Sequence, residues 1–501
     1  MADLTTYRAE VDPKGLMNPG KLSDLSVPDR VFTPSFNLLE LEARILQNDS
    51  LFELADKISK CVRCGKCKPD CCVFHPGKNM FYHPRNKNLA IGAVIEALLY
   101  DAQRARSTRF EFLKELEEIA DHCTICHKCL KPCPVDIDTG EISILERRIL
   151  AARKYKHTAL ATQLSLGYLK SRSKVYNALF RQAVLVWGLF FQRLGARVVG
   201  VIPNFKGWKV IWPFCMLRNP MPAPGKGTLH SILPNLELHQ ALVIEPKTGE
   251  TTKTVFYFPG CGSERLFSDV GKAALYLMLK AGIRVILPPP FLCCGFPINV
   301  NAQVTENDRR VLGDTIIFSQ IREMLRHLTF DACVVSCGTC KEALHAMGTE
   351  EIFKAPLEDV SRFALANGLK MEPEGDYLYH KPCHDSFGGT AKEFLKKSAD
   401  VKLTPVDHCC SEAGTLAMSR PDIAYNMLDK KTLAVKEALK GRENDGVILT
   451  NCPSCLQGLG RNTALGLKPR HMAVELANRA GGQDWEKELK VMLGNAEAIN
   501  F

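Results

Sequence analysis

Eighteen of the 21 cysteines in this 501-residue chain fall into spaced constellations. The first is Cys61-Val-Arg-Cys64-Gly-Lys-Cys67-Lys-Pro-Asp-Cys71, and the second is Cys123-Thr-Ile-Cys126-His-Lys-Cys129-Leu-Lys-Pro-Cys133. Both read C-x2-C-x2-C-x3-C. Thiolates at that spacing hold [4Fe–4S] cubes: three close cysteines bind one cube, and the fourth ligates the cube of the other run. Structural zinc, the competing chemistry, takes two C-x2-C pairs rather than a three-plus-one arrangement. Two [4Fe–4S] clusters are expected on these eight residues. Cys72 follows Cys71 directly. Cys71 preserves the x3 step and is read as the ligand, with Cys72 a small buried neighbour.

The other ten cysteines form two sets of five. Phe258-Pro-Gly-Cys261, Phe291-Leu-Cys293-Cys294-Gly295 and Val335-Ser-Cys337-Gly-Thr-Cys340 make the first set. They are answered by His380-Lys-Pro-Cys383, Asp407-His-Cys409-Cys410-Ser411 and Thr450-Asn-Cys452-Pro-Ser-Cys455. The step from the second paired cysteine to the C-x2-C is 43 positions in one and 42 in the other, so internal duplication is the simplest account. Each set offers one thiol more than a cube requires, and one or two further Fe–S clusters are expected there. Zinc or bare redox thiols are the alternatives. Ser411 stands where the first set has Gly295, and a Cβ narrows the backbone choices beside a cluster. An ordinary four-cysteine cube is therefore expected in the second set. Cys215 and Cys333 read as buried thiols. His384 and His408 adjoin ligands and are candidate hydrogen-bond donors to the clusters, with plain packing or solvation as the alternative.

These residues need elements to position them. Residues 38–60 carry Leu38, Leu39, Leu41, Ile45, Leu51, Leu54 and Ile58 near helical spacing. Two helical stretches, near 88–103 and 109–121, lie between the two runs. From residue 252 short strands (254–258, 284–287, 332–335) alternate with helices (270–281, 308–327), which argues for an α/β layer with a mainly parallel sheet. The cysteines then fall at strand ends or strand-to-helix turns, the crevice where open α/β sheets bind ligands. No P-loop, G-x-G-x-x-G, G-x-S-x-G or H-E-x-x-H motif is present. The chain is expected to bind no flavin or NAD itself, and to leave substrate oxidation to a partner.

In these motifs the chain resembles known families. The helical insertion between the runs resembles the α-helical ferredoxin domain of succinate dehydrogenase and heterodisulfide reductase subunits. The sets of five resemble the cysteine-rich CCG domain. That domain occurs in the Fe–S subunit of glycolate oxidase, in lactate-utilisation proteins and in the catalytic subunit of heterodisulfide reductase, where it holds non-cubane clusters. Residues 7–21, with Val-Asp-Pro-Lys-Gly-Leu-Met-Asn-Pro-Gly-Lys, are similar to the closing stretch of FAD-linked oxidases of the lactate/glycolate dehydrogenase type.

The resemblance implies an α+β multidomain chain: an N-terminal tail (1–37), an α-helical ferredoxin domain (38–146), a basic connecting segment (147–250), CCG repeats at 251–355 and 375–470, and a C-terminal tail (471–501). The function implied is an iron–sulfur electron-transfer subunit of an FAD-linked 2-hydroxyacid (lactate/glycolate) dehydrogenase. Its partners would be an FAD-linked oxidase subunit and a membrane quinone or other electron acceptor. The alternative is a heterodisulfide-reductase-like enzyme whose CCG clusters reduce a disulfide; a zinc-stabilised assembly protein is a third reading.

Composition bounds the rest. Hydrophobic residues at 46% and charged residues at 24% are ordinary for a globular protein. The opening Met1-Ala-Asp-Leu-Thr-Thr has no basic run followed by an apolar one, so a reducing, cytoplasmic setting is expected. The net charge of +10 comes from one segment. Residues 147–236 hold fifteen Lys or Arg and no acid, leaving 50 basic against 55 acidic residues elsewhere. Within it the apolar run Gln182–Gln192 is too short for a bilayer span, which needs about 20 residues. Trp187, Trp208 and Trp212 share the segment. Basic residues with Trp, Phe and Leu suit a peripheral helix on an anionic membrane surface; a core helix or an acidic partner subunit is the alternative. No nucleic-acid motif accompanies the basic patch, and nucleic acid is not expected.

Overall fold

The computed structural model describes residues 2–14, 43–47, 49–75, 82–105, 110–201, 218–247, 253–372, 375–440, 446–462 and 465–501. Cys215, Trp208, Trp212, residues 38–42 of the first expected helix and residues 15–21 of the oxidase-like tail lie outside them.

The ferredoxin region is helical, as its 3.6-residue periodicity predicts. Helices Phe52–Ser59, Pro84–Ala105 and Thr139–Ala152 pack with a short pair, Phe110–Glu115 and Leu116–Ala120. Leu51, Leu54 and Ile58 of one stripe meet Ile91, Ile95 and Leu98 of another, and all are buried. Asp138 caps the helix Thr139–Ala152 by accepting from the Gly140 amide. That helix runs past residue 146, so Arg147 and Arg148 belong to the ferredoxin core rather than to a separate connector. Leu160–Lys170 follows, and then a continuous helical run from Lys174 to Val201 whose middle, Arg181–Gly188, is wound in wider π turns. Its apolar residues Leu179, Trp187, Phe190, Phe191, Leu194 and Val198 recur at helical spacing and are exposed.

Among the described residues ten strands follow: β1 (Gln240–Ile244), β2 (Lys253–Phe258), β3 (Ile283–Leu287), β4 (Ala332–Val335), β5 (Leu357–Asp359), β6 (Gly375–Tyr379), β7 (Val401–Pro405), β8 (Val447–Thr450), β9 (Lys468–His471) and β10 (Ala496–Asn500). The first repeat runs β3-β2-β4-β5 and the second β7-β6-β8-β9. All these pairings are parallel, for example Val255 opposite both Val285 and Ala332, and Leu378 opposite both Thr404 and Ile448. The duplication read from cysteine spacing is thus a duplication of strand order. β2, β4 and β8 are almost wholly buried, as their unbroken apolar runs require when both sheet faces are covered. β9, Lys-Pro-Arg-His, sits at a sheet edge, where proline costs no ladder hydrogen bond.

Two elements depart from the sequence reading. β1 pairs antiparallel with β3, and β10 with β1, so both extend the first repeat's sheet. Residues 471–501 are folded rather than a tail. Helix Met472–Gly481 and helix Trp485–Met492 pack against helix Ser268–Lys280, joining the repeats through one core that holds Leu275, Tyr276, Met472, Leu476 and Trp485. Alternation in short stretches such as Ala-Glu-Ala-Ile-Asn is too weak to announce a strand; pairing with β1 makes it one.

Candidate iron–sulfur centres

The two ferredoxin runs come together with their fourth cysteines exchanged. Cys61, Cys64 and Cys67 line a narrow cavity of about 20 Å³ with Cys133, whereas Cys123, Cys126 and Cys129 line one of about 150 Å³ with Cys71. The runs also match in backbone. Arg63 (φ 54°) and Ile125 (φ 52°) occupy equivalent positions, as do Gly65 (φ 77°) and His127 (φ 55°). These left-handed residues coil each run around its cavity. The Ile125 amide donates to Cys123 Sγ at 3.4 Å and the Ile137 amide to Cys133 Sγ at 3.3 Å, contacts that stabilise charge on sulfur. Burial pushes the Cys71 and Cys129 thiols up to about 12, so they stay protonated in water, and a metal would have to displace the proton to bind.

The ten CCG cysteines lie at the C-terminal ends of their strands: Cys261 and Cys383 after β2 and β6, the adjacent pairs after β3 and β7, and the C-x2-C pairs after β4 and β8. Their thiols form one series. Cys261 pairs with Cys293, Cys294 lies 3.6 Å from Cys340, and Cys340 pairs with Cys337. Cys337 then meets Cys452 of the second repeat. From there the series continues through Cys455, Cys410, Cys409 and Cys383 to Cys126 of the ferredoxin domain. A cavity of about 390 Å³ opens beside most of these thiols; apolar side chains such as Phe180, Leu185, Leu189 and Phe296 line it together with polar ones, among them Arg147, Lys156 and Gln457.

The surroundings suit an anionic, thiolate-bound group. Arg265 is fully buried beside the first set, donating to the carbonyls of Tyr168 and Phe291. Lys431 is buried at the second set, donating to Val406 O (2.7 Å) and Asp407 O (2.8 Å); burial lowers its ammonium to about 8. Burial also acts to lower Lys128, yet the thiols of Cys72, Cys383, Cys409 and Cys126 hold it above its ordinary value. Thiol donors in cages, amides aimed at sulfur and buried cations fit Fe–S clusters.

Several side chains behave otherwise than expected. Cys72 is not a bystander: its Sγ lies 3.7 Å from Cys126 Sγ. His384 does not serve a cluster, because its ring contacts the Glu342 carboxylate through Nδ1 and the Ile125 carbonyl through Nε2, at 2.9 Å. It ties both repeats to the ferredoxin loop. His408 is exposed. Cys333 is buried on β4, as expected. His380 carries no motif signal in the sequence; only its counterpart, Phe258, marks it as a replacement. Arg147, counted within the basic patch, donates to the carbonyls of Ala120, Cys123 and Val300, each at 2.9 Å.

Comparison with known proteins agrees with this arrangement. A 4Fe-4S dicluster domain matches residues 57–137, and a cysteine-rich (CCG) domain matches twice, over 255–345 and 377–460. The chain is thus an iron–sulfur protein of the electron-transfer components of oxidoreductases. More particularly, it is related to the iron–sulfur subunits of hydroxyacid dehydrogenases. It is 25% identical over 480 residues to the probable glycolate oxidase iron-sulfur subunit of Bacillus subtilis, covering 88% of this chain and 97% of that one. Lactate utilization protein A of Bacillus licheniformis is 27% identical over 254 residues, 45% of this chain and 99% of that protein. A fumarate reductase (CoM/CoB) subunit of Methanothermobacter marburgensis is 24% identical over 215 residues, 40% of each chain. No solved structure matches.

Proposed function

We propose that the chain is the iron–sulfur subunit of an FAD-linked 2-hydroxyacid dehydrogenase, acting on lactate or glycolate, that delivers electrons to a membrane quinone. The observation that carries this reading is the unbroken series of thiols from the ferredoxin cages to both CCG sets. Fe–S clusters, when bound, supply one-electron transfer. Oxidation of the hydroxyacid to the 2-oxoacid on a flavin-bearing partner would release two electrons and two protons, and reduction of the quinone would consume two of each. In this chain Cys61, Cys64, Cys67 and Cys133 hold one cube, and Cys71, Cys123, Cys126 and Cys129 the other. Cys261, Cys293, Cys294, Cys337 and Cys340, then Cys383, Cys409, Cys410, Cys452 and Cys455, hold the centres beyond. Arg147 and His384 keep the ferredoxin loop pressed on the repeats.

The exposed stripe of the 174–201 run docks the protein on the membrane where the quinone resides. Among the described residues no helix is long and apolar enough to cross a membrane. Replacing Cys126 with Ala should abolish quinone reduction and leave hydroxyacid-to-dye activity on the flavin subunit intact; quinone reduction at the wild-type rate would refute the reading. The 390 Å³ cavity beside the CCG thiols favours a second reading, reduction of a disulfide substrate there. Oxidation of the reduced protein by added disulfide separates the two.

A further inference from the structure

Cys72 is surplus to the two cages, since Cys71 keeps the spacing and lies with Cys123, Cys126 and Cys129. Its thiol faces the second repeat. The Sγ atoms of Cys72, Cys126 and Cys383 all lie within 4.8 Å of one another, and Cys409 also contacts Cys72. The segment behind it is clamped to that repeat: Val73 is buried with Leu378, Val406 and Ile448, and the Lys430 ammonium donates to the Phe74 carbonyl. Cys72 is therefore held among the thiols of a domain to which it does not belong.

We propose that Cys72 is a ligand of the second repeat's metal centre, supplied from the ferredoxin domain. This rests on the iron–sulfur reading above. It gives that centre a sixth thiol, beside the departure at Ser411, and makes its loading depend on the docked ferredoxin domain. The test is anaerobic purification of wild type, Cys72→Ala and Cys72→Ser, with iron, acid-labile sulfide and EPR of each. Cys72→Ala is expected to lose one centre's iron and signal while both cube signals persist. Cys72→Ser is expected to keep part of that signal with altered g values, because an alkoxide can replace the thiolate where a packing residue would change nothing. Wild-type iron and spectra in Cys72→Ala, or loss of every cluster together, would overturn the ligand role and leave electron transfer standing. Zinc in place of iron in the wild type would overturn both.

The same centre has a second unassigned donor. His380 is 1% exposed, both of its ring nitrogens lack a hydrogen-bond partner, and one lies within 4.8 Å of the Cys410 and Cys455 thiols. Leaving a buried polar group unpaired costs about 1–3 kcal/mol, so an imidazole in this position needs a recipient. The first repeat, with Phe258 at the equivalent place, has none to satisfy. We infer that His380 gives a nitrogen ligand to the second repeat's centre, making the two CCG centres chemically different. Pulsed EPR of the intact protein labelled with ¹⁵N-histidine should show one strongly coupled nitrogen on that centre. His380→Phe should remove the coupling and shift the centre's reduction potential, which the identity of the ligands sets. A wild-type spectrum without histidine coupling would refute the assignment whatever the variant does.

Discussion

Arg147 offers the sharpest test of how the ferredoxin domain is attached. Its guanidinium is buried and donates to three carbonyls: Ala120 and Cys123 within the ferredoxin domain, and Val300 in the first repeat. Arg147→Met keeps the apolar stem and removes all three hydrogen bonds. Bonds from a charged donor contribute about 1.5–3 kcal/mol each, and a carbonyl left buried costs about 1–3 kcal/mol. Two of the three contacts are only part-buried, so water can recover some of the loss. Asp121, 3.6 Å from Arg147, keeps Lys156 at 2.8 Å and is not orphaned. With that recovery the expected cost is about 3–4 kcal/mol, below the minimum of about 4.5 kcal/mol that three such bonds would sum to. Denaturant unfolding under anaerobic conditions should show the transition of the ferredoxin domain shifted by that amount, together with faster protease cleavage between residues 153 and 159. Arg147→Lys, with one ammonium for three acceptors, should recover less than half. A shift under about 1 kcal/mol, below the worth of a single such bond, would refute the view that this arginine locks the domains. It would return the residue to the surface charge that its sequence neighbourhood suggests.

Three other outcomes follow from the geometry. The exchange of fourth cysteines requires that Cys133→Ala reproduce the EPR spectrum of Cys64→Ala and not that of Cys126→Ala, with about four irons lost; the reverse match would mean that each run binds its own cube. His471 donates from Nε2 to Ser336 O at 3.0 Å and accepts from the Ala473 amide at Nδ1, and burial lowers it to about 4. Its stabilisation is complete above about pH 6.5 and fades as pH falls towards 4. Between about pH 7 and 5 the wild type should lose about 2 kcal/mol more than His471→Asn in denaturant unfolding, and equal losses would exclude a neutral buried imidazole. Replacing Trp187, Phe190 and Phe191 with Ser should weaken sedimentation with anionic vesicles more than tenfold, since each buried aromatic contributes about 1.5–3 kcal/mol. Binding should depend only modestly on salt, because Arg147, Arg148, Lys156, Arg172 and Arg181 are engaged inside the protein; unchanged binding by the triple variant would place the apolar stripe against a partner instead.

The chemistry was legible in the sequence because metal ligation fixes residue type and spacing together. C-x2-C-x2-C-x3-C picks out the thiols that line the two ferredoxin cavities, and the 43- and 42-residue steps announced the duplication that β3-β2-β4-β5 and β7-β6-β8-β9 repeat. The helical stretch near 88–103 was legible too, and the structure puts its Ile91 and Ile95 in a core. Contacts between distant segments leave no such trace. Nothing in the spacing of Cys72 tells that its thiol meets Cys383, 311 positions away, and nothing in Arg147 tells that it bonds to Val300, 153 positions on. Ala496–Asn500 becomes a strand only because β1 offers an edge. Charge counting fails for the same reason: a lysine or arginine on paper is a cation in water, and only packing reveals which ones face carbonyls instead. Local spacing singled out the candidate ligands, and tertiary packing decided which thiols, cations and imidazoles surround them.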